Sequence, residues 1–158
     1  MKKQHIAIIF FIFVTCTILP GLSGCGKPYA RITFQAYKNL NPDDSGAALP
    51  VVVWIYQLKN KERFESADFI SIWQDEGEAL GDDLLAKRET TVYPNSDNQV
   101  EVQREPDARF LGLVALFRQP SGNSWRRIIP ITSKRQKVYL VMDEQEMEIT
   151  DGKRKRQP

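Results

Sequence analysis

The sequence is poor in the side chains that most enzymatic designs require. It holds one histidine, His5, and two cysteines, Cys16 and Cys25, among 158 residues. His5 and Cys16 both fall in an N-terminal stretch that reads as a removable leader. Without them the remaining chain has no histidine and one cysteine. That excludes Ser-His-Asp and Cys-His nucleophilic designs, His- or Cys-based zinc sites and any internal disulfide. No glycine-rich phosphate loop occurs, and no acidic residue precedes Asp43. The expectation is a protein that is not an enzyme, with no cofactor and no small-molecule substrate.

What the N-terminus does contain is ordered. Lys2 and Lys3 give a positive start, Ile6 to Val14 is unbroken apolar, and Pro20, Gly21, Ser23 and Gly24 follow. This is the three-part layout of a secretory signal. A membrane-spanning helix needs about 20 apolar residues, and this run is shorter. Leu22-Ser23-Gly24-Cys25 resembles a bacterial lipobox. The resemblance implies cleavage after Gly24, a thioether-linked diacylglyceryl group on Cys25 and acylation of the new amino terminus. The other reading is an ordinary cleaved signal with a free thiol close by. A lone exposed thiol is a liability in an oxidising compartment. Gly26 stands where an Asp in this lipoprotein class signals inner-membrane retention, so the motif implies the outer membrane.

Removal of residues 1–24 takes away Lys2 and Lys3 and no acid, which leaves basic and acidic residues equal in number. An electrostatic motive for nucleic-acid binding is then missing. Four parts are expected: a leader at 1–24, a lipidated tether at 25–28, a folded domain at 29–150, and a basic, disordered tail at 151–158.

The folded part reads as strands. Ala30, Ile32, Phe34 and Ala36 alternate with Arg31, Thr33, Gln35 and Tyr37, which is period two. NLNPDDSGAA (39–48) is a loop, longer than a tight hairpin. LPVVVWIYQL (49–58) is apolar on both faces, so it belongs in the middle of a sheet or under a cover. Phe69, Ile72 and Trp73 fall on one helical face, with Ser66 as a candidate cap and Asp68 in the first turn. Gly77 interrupts, and Leu80, Leu84 and Leu85 suggest a second helical turn. This segment is expected to form a lid on a sheet. Further strands are expected from Lys87 to Tyr93, at Val100 and Val102, within RFLGLVALFR (109–118), from Trp125 to Ile131, from Lys137 to Met142, and around Met147 and Ile149. RFLGLVALFR alone does not exclude a helix. Gly112 inside it hints at a bulge or a close backbone approach. Seven or eight short strands with a helical insertion predict a two-sheet β-sandwich.

The acidic pairs Asp43-Asp44, Asp75-Glu76 and Asp82-Asp83 are the remaining candidates for acid-base work. Adjacent acids on loops and helix starts read as solvated or capping groups. Asp43-Asp44-Ser45 lacks the alternating ligands of a calcium loop. Trp54, Trp73 and Trp125 lie in strand, helix and strand patterns, which favours packing over a shared recognition surface. Lys153 to Arg156 is read as a solvated terminus, with contact to anionic lipid as the alternative.

Taken in order, LPVVVWIYQL (49–58), Phe64, Ala67-Asp68-Phe69, LGDDLL (80–85), Pro94, LGLVALFR (111–118) and Trp125-Arg126 resemble the TssJ (SciN-like) lipoproteins of bacterial type VI secretion systems. The likeness runs from about residue 30 to 142. Trp54 departs from it, at a position where the family often carries Arg. The resemblance implies a transthyretin-like sandwich, lipid-anchored at the periplasmic face of the outer membrane. It implies a partner, the periplasmic part of the inner-membrane protein TssM, within the TssJLM envelope complex. In the family the loop after the first strand is implicated in that contact. The matching residues are Asn41, Pro42, Asp43, Asp44, Ser45, Gly46 and Ala47. The alternative function is an assembly or pilot lipoprotein for another envelope secretion machine.

Overall fold

Period-two alternation is the feature that builds most of the molecule. In β1 (Tyr29–Ala36) every second residue is buried, and Ile32 and Phe34 are wholly shielded from water. The computed structural model describes residues 27–152. The leader at 1–24, Cys25 and the basic residues 153–156 lie outside the described residues.

The remaining strands are β2 (Val51–Leu58), β3 (Leu84–Val92), β4 (Asp97–Gln103), β5 (Phe110–Ala115), β6 (Arg126–Pro130), β7 (Arg135–Asp143) and β8 (Glu146–Thr150). Among the described residues they form two four-stranded sheets, in the orders β4-β1-β7-β8 and β3-β2-β5-β6. All pairings are antiparallel except β1 with β7, which run parallel with Ile32 opposite Val138 and Phe34 opposite Leu140. The expected sandwich of seven or eight strands is the observed fold.

The core lies between the sheets. Ile32, Phe34, Leu140 and Met142 from the first sheet meet Val53, Ile55 and Leu113 from the second, all fully buried. Each such side chain stabilises the fold by ~1.5–3 kcal/mol. The single polar group of this layer from β2 is Gln57. It is satisfied from both ends, donating to the Gln103 carbonyl at 2.8 Å and accepting from the Glu105 N–H at 2.8 Å.

β2 is central in its sheet, and its outer face is covered as well. Three short helices supply the cover: α1 (Glu62–Ser66), α2 (Phe69–Gln74) and α3 (Glu76–Leu80). Phe64 from α1 lies against Leu58 and Gly112, where a Cβ on Gly112 would come within 2.9 Å of Leu58 Cδ1 and Phe64 Cε2. The glycine therefore marks a close approach, and β5 is a regular strand there. Arg126 Nη1 donates to the carbonyls of Phe64 and Ala67, at 2.9 and 2.6 Å, and clamps the insertion onto β6. Phe69 meets Trp125 edge to face at 5.2 Å between ring centroids.

The helical segment differs from the sequence expectation in four respects. α1 ends at Ser66, and the cap of α2 is Asp68, whose carboxylate accepts the Ser71 N–H at 2.8 Å. Gly77 lies inside α3; the break is at Asp75, which caps α3 through the Glu78 N–H at 2.9 Å. Leu84 and Leu85 open β3, after a single 3-10 turn at Gly81–Asp83. Trp73, expected to pack, is 58% exposed on α2.

Candidate functional site

The overlong connection between β1 and β2 lies at the end of the sandwich where β1 finishes, opposite the end where Pro28 enters it. Its two flanks are fastened before it projects. Tyr37 N–H donates to the Met142 carbonyl at 2.9 Å, Leu40 is fully buried, and Leu49 N–H returns to the Leu40 carbonyl at 3.0 Å. The chain thus leaves and re-enters the body at one point.

Asn41 closes that neck. It is 3% exposed and adopts φ 47°, the left-handed region that Asn tolerates better than most side chains. Its side-chain oxygen accepts the Arg118 N–H at 2.9 Å, and its Nδ2 donates to the Pro50 carbonyl at 3.3 Å. Its own N–H donates to the Glu144 carbonyl in the β7–β8 turn. Asn39 Nδ2 reaches the Glu144 carboxylate at 3.2 Å. Pro42 follows, half-buried.

Asp43 then shapes the tip. Its Oδ1 accepts from Ser45 N–H at 2.8 Å, Ser45 Oγ at 2.6 Å and Ala47 N–H at 2.9 Å. Gly46 N–H donates to the Asp43 carbonyl at 2.9 Å, and Asp43 N–H donates to the Ala47 carbonyl at 2.9 Å. The Ser45 hydroxyl, then the Ala47 and Ser45 N–H groups, hold the Asp43 carboxyl below its ordinary pKa, with the Arg118 charge adding in the same direction. Asp44, Ser45, Gly46 and Ala47 are exposed, and Asp44 forms an ion pair with Arg118 at 3.3 Å. Of the residues that the family resemblance marks, Asn41 and Asp43 thus build the loop, and 44–47 present it.

Beside the loop, a polar cleft of about 590 Å³ opens between the β5–β6 and β7–β8 turns. Ser121, Asn123, Arg127, Asp143 and Glu146 contribute to its walls, and Arg127 pairs with Glu146 at 3.6 Å. Sequence reasoning named neither the cleft nor the Arg118 and Glu144 supports. They meet the loop across separations of 77 and 105 residues. No local pattern signals such contacts.

Of the other candidate acids, Asp75, Glu76 and Asp83 are engaged in local structure and Asp82 is exposed. Glu76 accepts from the Tyr56 hydroxyl and from Lys87 Nζ at 2.6 Å, and Asp83 accepts from Asn60 at 2.8 Å. Burial first, and then the bond to Glu76, push the Tyr56 hydroxyl pKa upward. Lys87 Nζ also stands 3.8 Å from the centre of the Trp54 ring, whose Nε1 donates to Glu89 at 2.9 Å. Trp125 is buried and donates to the Gly122 carbonyl at 2.9 Å.

A family model described as type VI secretion lipoprotein (VasD, EvfM, TssJ) matches residues 28–150. The lipoprotein TssJ1 of Pseudomonas aeruginosa is 25% identical with a TM-score of 0.73, over 84% of this chain and 100% of that one. A chain of a type VI membrane complex is 24% identical, TM-score 0.73, over 79% and 99%. A chain from a structure of the TssM C-terminal domain from EAEC is 22% identical, TM-score 0.69, over 78% and 98%. The last two likenesses are of fold. No protein of curated function matches the sequence.

Proposed function

The chain belongs to the family of type VI secretion lipoproteins that includes TssJ, and from that premise we propose that it is a lipid-held tether. It binds the periplasmic part of TssM at the periplasmic face of the outer membrane. It acts by holding the envelope complex in place and performs no reaction.

The observation that carries this reading is the loop at 41–47, pinned at its neck and exposed at its tip. A loop already held in one shape loses little conformational freedom on docking, so more of the contact energy remains as affinity. The tip is at the opposite end of the sandwich from Pro28, where the expected tether at 25–28 joins. A lipid on Cys25 would therefore be attached at the end of the domain opposite 44–47. Diacylglyceryl attachment plus N-acylation supplies several chains, and two or more are needed for stable anchoring, at roughly 0.8 kcal/mol per buried CH₂.

The structure described by the TssM domain supports the partner. Chains of this fold occur in a type VI membrane complex and in a structure of the TssM C-terminal domain from EAEC. The alternative of a pilot lipoprotein for another machine falls away, because the family is one of the type VI apparatus.

Cells carrying Cys25→Ser test the anchor. They should lose lipid labelling of the protein and type VI secretion together, while the soluble domain keeps its fold by circular dichroism. Normal secretion by that mutant would overturn the tether.

A further inference from the structure

The end of the sandwich nearest Cys25 carries unpaired positive charge, and we infer that it rests on anionic lipid headgroups and holds the domain upright on the membrane. The inference depends on the reading of Cys25 as the lipidated residue.

Pro28 is fixed at that end. Its carbonyl accepts the Arg104 N–H at 2.9 Å, and the next residue, Tyr29, donates its N–H to the Lys134 carbonyl at 2.8 Å. Only Gly26 and Lys27 separate Pro28 from Cys25. At most ~3.6 Å per residue, Pro28 lies within ~11 Å of the lipidated cysteine. That is about one Debye length at moderate ionic strength, so charges around Pro28 act on headgroups with little screening.

Those charges are mainly basic. Lys27, Arg109, Lys134 and Arg135 are exposed and form no ion pair among the described residues. Arg104 is half-buried beside them. Their positions follow from the fold. Arg135 pairs with Tyr29 in the β1–β7 register, and Arg109 N–H bonds the Leu58 carbonyl at the foot of β2. The acids on this side are Glu105 and Asp107. Farther across the same end, Lys59, Lys61 and Arg63 offset Glu62, Glu65, Asp82 and Asp83, with Lys61 paired to Glu65 and Arg63 to Asp83. The opposite end has the reverse balance, with Asp43, Asp44, Asp97, Asp143, Glu144 and Glu146 against Lys38, Arg118, Arg126 and Arg127. A tether as short as Gly26-Lys27 limits distance but not tilt. The charge separation supplies tilt: the basic end is drawn to an anionic surface and the acidic end is repelled by it. With β1 rising about 3.3 Å per residue, the upright domain carries the loop at 41–47 roughly 26 Å above its own base.

The test uses the full lipidated protein in vesicles of phosphatidylcholine, with and without phosphatidylglycerol. Lipidation consumes the Cys25 thiol, so Ser133→Cys or Ser45→Cys offers a unique site for a polarity-sensitive dye. The Ser133 label should shift toward the blue only when phosphatidylglycerol is present, and the shift should reverse in high salt. The Ser45 label should not respond. Lys134→Gln/Arg135→Gln should lose the shift although the chain still floats with the vesicles. The reversed pair Lys134→Glu/Arg135→Glu should behave the same way. A floating chain whose Ser133 label ignores phosphatidylglycerol, or whose two labels respond alike, overturns the inference and leaves the anchor standing. A chain that does not float overturns the anchor and this inference with it.

Discussion

The side-chain oxygen of Asn41 accepts the backbone N–H of Arg118 at 2.9 Å, so the neck of the exposed loop is locked to the β5–β6 connection. One side chain serves two backbone groups there, since its Nδ2 also reaches the Pro50 carbonyl. Removing a buried partner leaves those groups unsatisfied, at about 1–3 kcal/mol each in a buried setting. Ala at φ 47° adds strain. Asn41→Ala is therefore expected to destabilise the domain by about 2–4 kcal/mol. A shift in the urea midpoint at unchanged slope would register it, and an unaltered midpoint would show that the neck is not held this way.

Gly112 should tolerate no side chain. The nearest atoms to a Cβ are Leu58 Cδ1 and Phe64 Cε2, both at 2.9 Å and both in the covered layer under α1. Gly112→Ala is expected to lower stability by about 1–3 kcal/mol through overpacking. Phe64→Ala should cost about 3–5 kcal/mol by opening a cavity. The double variant should be less damaging than the sum, because the cavity accommodates the new methyl group. Strict additivity in thermal denaturation would contradict the contact.

Asp43 gives the loop a pH response of defined sign. Its carboxylate form is favoured in the folded state by Ser45 and Ala47, so its folded pKa lies below the unfolded one. The stabilisation is present above the unfolded value and is lost as pH falls through the folded value. The difference in Tm between wild type and Asp43→Ala should be flat from neutral pH down to about 4 and shrink below it. An NMR titration of the Asp43 carboxyl with a midpoint at or above that of an ordinary aspartate would contradict the bonding described.

Which of these features the sequence disclosed follows from their range. Ile32 and Phe34 announce an inward face by alternation alone, and the doubly apolar β2 announces a covered centre. The misreadings cluster at 60–85, where apolar pairs such as Leu84-Leu85 fit either period and neighbouring acids compete as caps. There the tertiary cover decides: Phe64 is drawn onto Gly112, and Arg126 holds the carbonyls of Phe64 and Ala67. The parallel union of β1 and β7 joins residues about a hundred positions apart and leaves no local mark. The loop stood out by its polar composition and length. Its division into a buried neck and an exposed tip depends on Arg118 and Glu144, which no local pattern brings to it.

The central claim is that the tip of this loop binds TssM. Isothermal titration calorimetry of the periplasmic part of TssM against wild type and against Asp44→Lys/Ala47→Lys tests it most directly. The pair leaves Asn41, Asp43 and Gly46 in place, so the fold is retained. At least a tenfold loss of affinity, about 1.4 kcal/mol, is predicted, with Tm changed by no more than a few degrees. Wild-type affinity in the folded variant would contradict the account.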